Sequence, residues 1–193
     1  MMLRIGAIGI ALLCLGWLGL RLWLAPLIEG PPHFTIEHSI EFSATPEEAW
    51  AVLMDASAYA EWNPYLLELR GTVEVGNSIE ISIVQENWDE PMHLTQTVIA
   101  LDPPRYFHWR GKLPPAGLFQ TDHSFRIEPI ADDRIRFVQR EEFRGKIAEF
   151  LDEEARKFTE RAFGNMDEAL ARRVAELRIE DGQSTRPVPP LRQ

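Results

Sequence analysis

The feature that most constrains this chain is a single change of hydrophobic period. From Phe34 to Phe143 apolar residues recur at steps of two, in short runs broken by turn residues; from Ile147 onward they recur at steps of three and four. The period-two runs predict strands over Phe34–Phe42, Tyr65–Val73, Ser78–Gln85, Met92–Leu101, Arg105–Lys112, Phe119–Glu128 and Arg134–Phe143. Turn signals such as Gly76-Asn77, Asp102-Pro103-Pro104 and Ala131-Asp132-Asp133 separate them. With no long helix between strands, the order implies an antiparallel meander rather than parallel crossover units. Between the first two strands, Thr45-Pro46-Glu47-Glu48 predicts a capped helix start, and Asn63-Pro64 stops a second short helix around Ser57 to Glu61. The later period predicts one long helix over Ile147–Leu177, ended by Gly182, with a tail over residues 181–193. A curved sheet cannot bury its concave face on itself, so the helix must cover it. The expected class is α+β: about seven curved antiparallel strands wrapped on a long C-terminal helix, with an apolar space between.

Ahead of this domain lies a different kind of segment. Ile5 to Leu20 carries no charge, and the apolar run resumes after Arg21 as far as Ile28. If Arg21 snorkels, the segment reaches the roughly 20 residues that span a bilayer. Trp17 and Trp23 suit the interface, and Ala25, with Trp23 at −3 and Pro26 following, is a poor cleavage site for a signal peptide. The expectation is an uncleaved N-terminal transmembrane anchor over residues 1–28, helical from Leu3 to Leu27. A stiff linker over 29–33 follows, then a ligand-binding domain over 34–180, placed outside the cytoplasm.

Charge and motif content exclude several functions. Net charge is −10, and beyond the anchor 18 bases face 30 acids with no concentrated basic face, so nucleic acid is not an expected partner. Cys14 is the only cysteine, which rules out an intrachain disulfide or a cysteine-built metal site. Nucleophile-elbow, phosphate-loop and zinc-protease patterns are missing, and neither a cofactor nor a metal is called for. His33 and His38, five apart, are expected on opposite strand faces, which argues against joint metal ligation.

Local motifs add a resemblance. Ala44-Thr-Pro-Glu-Glu-Ala-Trp50, Tyr59-Ala-Glu-Trp62-Asn63-Pro64, Asp102-Pro-Pro-Arg-Tyr-Phe-His-Trp109-Arg-Gly111, His123-Ser-Phe125-Arg-Ile-Glu-Pro129, Glu141-Glu-Phe-Arg-Gly145 and Phe163-Gly-Asn-Met166-Asp-Glu-Ala-Leu170 occur in an order resembling the SRPBCC superfamily of START-like and polyketide cyclase/dehydratase proteins. Asp167 departs from the Asn that often follows Met in such proteins. The resemblance covers about Phe34 to Leu177 and implies a helix-grip fold with a cavity for lipids, polyketides or other apolar ligands. It does not imply a reaction.

Period and turn position then nominate residues. A hairpin turning at Ala131-Asp132-Asp133 sets Phe125 opposite Gln139 and His123 opposite Glu141, each sharing a face with apolar neighbours. His123 and Glu141 are the candidate catalytic pair, with a general-base role weighed against mutual satisfaction of two buried polar groups. The expected ligand-binding set adds Trp50, Phe107, Trp109, Phe119, Thr121, Phe125, Phe137, Gln139, Phe158, Phe163 and Met166, for most of which core packing is the alternative. Arginines over 105–110 and 134–144 are expected on a solvated face. Three functions follow: membrane-tethered binding of a small hydrophobic molecule, a cyclase or dehydratase acting through His123 and Glu141, or an interaction module without ligand.

Overall fold

A computed structural model describes residues 16–84, 89–151 and 153–184 of the 193-residue chain. Seven antiparallel strands form one sheet: β1 (Phe34–Phe42), β2 (Leu66–Arg70), β3 (Ser78–Ile83), β4 (Met92–Asp102), β5 (Tyr106–Leu113), β6 (Phe119–Ala131) and β7 (Arg134–Arg144). Their spatial order is β1-β7-β6-β5-β4-β3-β2: a meander from β2 to β7, with β1 added beside β7. The second strand is shorter than the expected Tyr65–Val73 because Gly71, at φ +108°, turns the chain out of the ladder.

Helical residues 16–24 form the described part of α1, which gives way at Pro26 to a 3-10 turn over Ala25–Ile28. The expected single helix from Leu3 to Leu27 therefore stops short, as proline dictates. Residues 1–15, the first half of the expected anchor, lie outside the described residues, among which no helix is long and apolar enough to cross a membrane.

The helix α2 (Pro46–Met54) starts as anticipated: Thr45 accepts from the Glu48 amide and Glu48 accepts from the Thr45 amide. After α3 (Tyr59–Trp62), the Asn63 carboxamide oxygen accepts from the amides of Tyr65 and Leu66 and steers the chain into β2.

The C-terminal helix departs from expectation at both ends. Ile147–Phe150 is a 3-10 turn, Leu151 is extended, and α4 runs from Glu153 to Ser184, so Gly182 does not end it. Glu153 and Glu154 favour the later start because acids stabilise a helix N-terminus. Gly182 costs only about 1 kcal/mol relative to alanine within a helix. Phe150, expected on the buried stripe, is 74% exposed.

The way α4 lies on the sheet positions the site. Its middle and C-terminal turns bury Phe163, Met166, Leu170 and Val174 against β1, β7 and α2, while its first turns stand over the sheet with little buried. One half of the concave face is thus packed solid. The other half is open.

Candidate functional site: a cavity between sheet and helix

A cavity of about 510 Å³ occupies the open half. Three rows of side chains cross the concave face at this point. Leu101, Phe107, Phe125, Gln139 and His38 form the deepest; Val98, Trp109, His123, Glu141 and Ile36 the middle; Gln96, Gly111, Thr121, Phe143 and Phe34 the outermost. The deepest row is sealed by α4, with Phe107, Phe125 and Gln139 at most 1% exposed. From the two outer rows Trp109, His123, Glu141, Gln96, Gly111, Thr121 and Phe143 line the cavity, together with Tyr65, Ile81, Ile83, Ile147, Leu151 and Thr159. Leu113, Met92 and Phe119 stand toward the open end; Leu113 and Met92 are 44% exposed.

The structure therefore divides the expected ligand-binding residues. Trp109, Phe119, Thr121, His123 and Glu141 line the cavity. Phe107, Phe125, Phe137, Gln139, Phe163 and Met166 do not; they belong to the solid half, where α4 excludes any space. Trp50 packs half-buried on the core from α2, and Phe158 borders a separate small recess with Pro64 and Ala162. Sequence reasoning missed Tyr65, Ile81, Ile83, Gln96, Gly111, Phe143, Leu151 and Thr159. Period two placed most of these on an inward face, but where α4 ends its contact with the sheet is a tertiary fact.

The β6–β7 ladder pairs in the expected register, with His123 directly opposite Glu141. The expected bond between them does not form: His123 Nδ1 and Glu141 Oε2 are 3.9 Å apart. Instead the Gln139 amide donates to His123 Nε2 at 3.0 Å, leaving the proton on Nδ1. Aromatic contacts hold the imidazole in this pose, with ring centroids 5.1 Å from Trp109, 4.6 Å from Phe125 and 4.9 Å from Phe163. Burial drives the His123 pKa down to about 3, so the ring is neutral. Burial raises the Glu141 pKa to about 7, opposed by a hydrogen bond from Thr121 and assisted by the charge of Asp122. The pair is not an ion pair. One group is uncharged and the other is poised between states.

Two further polar clusters lie elsewhere. His38 Nδ1 meets Asp167 Oδ2 at 2.6 Å, tying β1 to α4; burial raises the fully buried Asp167 to about 7, with the His38 bond opposing. On the convex face, arginines expected to be simply solvated converge on Asp122, which is 8% exposed. Burial alone would raise its pKa; bonds from His108, Arg110, Gln120 and Arg144 hold it near 2 instead.

The β5–β6 loop, flanked by the cavity-lining Leu113 and Phe119, meets the N-terminal segment. Leu24 is 3% exposed, seated on Gly117 in the β5–β6 loop, where a Cβ would stand 1.8 Å from the Leu24 carbonyl oxygen. With φ at +89°, glycine alone fits. The amides of Lys146 and Ile147 donate to Gly117 and Leu118, and the Lys146 ammonium lies 6.0 Å from the Trp23 ring centroid. Loop, 3-10 turn and N-terminal helix meet at one end of the molecule, beside Leu113 and Phe119.

Comparison with known proteins agrees with this architecture. Residues 33–177 match the model of a family described as polyketide cyclase/dehydrase and lipid transport. A START superfamily protein from Mycobacterium smegmatis superposes with a TM-score of 0.59 at 15% identity, over 74% of this chain and 98% of that one. The Zhui aromatase/cyclase from Streptomyces sp. R1128 gives 0.57 at 20% identity, covering 74% and 93%. Norcoclaurine synthase from Thalictrum flavum, a point mutant in complex with a transition-state analogue, gives 0.56 at 17% identity, covering 75% and 96%. At these identities the likeness is one of fold: a curved antiparallel sheet gripping a long C-terminal helix. No curated protein matches the chain.

Proposed function

The chain belongs to the polyketide cyclase/dehydrase and lipid transport family, and on that premise we propose that it binds a small hydrophobic molecule in the sheet–helix cavity while tethered to a membrane by its N-terminal segment. The observation that carries the reading is the cavity itself: about 510 Å³ of partly enclosed space walled largely by aromatic and aliphatic side chains. Empty apolar space of this size is costly unless something fills it. Tethering is supported by α1, which leaves Trp17, Leu18, Leu22 and Trp23 more than half exposed. Apolar surface of that kind calls for a non-aqueous neighbour. An anchor would also hold the domain where lipid-phase ligands are concentrated.

A second reading is favoured by one observation. Glu141 titrates near 7 at the cavity wall, where a carboxyl can both give and accept a proton. Catalysis of cyclase or dehydratase type would then rest on Glu141 rather than on His123, whose ring is neutral and already bonded to Gln139.

Titration of the full-length protein with the neutral fluorophore N-phenyl-1-naphthylamine tests the binding reading. Saturable binding at one site per chain is expected, lost in Thr159→Trp, whose indole projects into the cavity. Binding that neither saturates nor responds to the substitution would count against it.

A further inference from the structure

The outermost cavity row carries polar groups that a purely apolar molecule leaves unanswered. Gln96 on β4, Gly111 on β5 and Thr121 on β6 are neighbours across the sheet. Gly111 has no side chain, and its two neighbours converge over it. A Cβ there would stand 2.6 Å from Gln96 Oε1 and 3.0 Å from Thr121 Oγ1. Gln96 is 4% exposed and lines the cavity, yet its Oε1 has no hydrogen-bond partner. A buried carboxamide oxygen left unpaired is unfavourable, so the site is built for a donor that arrives with the ligand. Thr121 beside it already engages Glu141.

We propose that the ligand is an uncharged amphiphile with an apolar body and a hydroxyl at its inner end, the hydroxyl donating to Gln96 Oε1. This rests on the cavity-binding reading and gives it a ligand class. A hydroxyl answers the site because it supplies the one donor that Gln96 Oε1 needs while carrying no charge. A carboxylate does not. It has no proton for Gln96 Oε1 and it would lie near Glu141, while Lys112, the lysine that also lines the cavity, is exposed to solvent. A plain hydrocarbon fills the apolar part and leaves Gln96 unpaired.

The test compares naphthalene, 2-naphthol and 2-naphthoate in calorimetric titrations of the full-length protein in amphipol near neutral pH. The expected order is 2-naphthol tightest, about ten-fold ahead of naphthalene, with 2-naphthoate weakest; ten-fold is the share of one neutral hydrogen bond. Gln96→Leu should bring 2-naphthol to the level of naphthalene. Gly111→Ala, whose Cβ would displace the Gln96 carboxamide, should do the same. Equal binding of 2-naphthol and naphthalene to the unaltered protein, or tightest binding of 2-naphthoate, overturns the hydroxyl seat while leaving the cavity reading intact. Binding of none of the three overturns both.

Discussion

Protonation decides what the concave face can hold. His123 is neutral because burial penalises its cation, and Glu141 is half protonated near neutral pH because burial penalises its anion. The facing of these two residues was legible in the sequence, since a turn at 131–133 and a period of two set the register. Their failure to bond was not. That outcome depends on Trp109, Phe125 and Phe163 clamping the imidazole toward Gln139, a matter of packing across the core. The His38–Asp167 pair was equally hidden, because it joins residues 129 positions apart. Glu141 yields a pH prediction. Its folded-state pKa of about 7 lies above the ordinary 4.5, so the folded state holds the proton more tightly. The stabilisation is complete below about pH 4.5 and is lost as pH rises through 7. Asp167 acts with the same sign, whereas His123 loses stability as pH falls from 6.5 toward 3. Glu141→Gln removes one contribution only. Denaturant unfolding at pH 5 and pH 8 should show the variant gaining on the parent protein across that interval, on the order of 3 kcal/mol. Parallel stabilities would show that Glu141 is not held protonated.

At the scale of elements, alternation and turn residues located all seven strands, because a half-buried antiparallel strand announces itself by period two. The ends of α4 were less legible. Apolar periodicity counts Phe150 with the buried stripe, yet the 3-10 turn rotates it outward, and acids at 153 and 154 start the helix later. The capping box at Thr45 was fully legible, being local in sequence. Its wider role was not: Glu48 also accepts from the Arg178 guanidinium, so the start of α2 is joined to α4. Thr45→Ala should lower stability by about 1 kcal/mol, the usual cost of losing an N-cap, in equilibrium unfolding. Affinity for the naphthylamine probe should be unchanged, because α2 packs on the solid half of the core.

At the scale of the whole molecule, the apolar N-terminal segment meets the loop that joins β5 to β6. Leu24 sits on the loop carrying Gly117, next to Leu113 and Phe119. On the proposed reading the anchor stays attached and holds the cavity near the lipid phase. Intact-mass measurement of protein extracted from membranes should therefore find residues 1–25 present; a mature N-terminus near Pro26 would remove the tether from the account. The central claim is that the cavity holds an apolar molecule, and the most direct measurement is mass spectrometry of organic extracts from the full-length protein purified from native membranes, beside the same extracts from Thr159→Trp. A neutral, hydroxyl-bearing apolar compound is expected at close to one per chain in the unaltered protein, depleted in the variant. Extracts of the same composition from both proteins would contradict it.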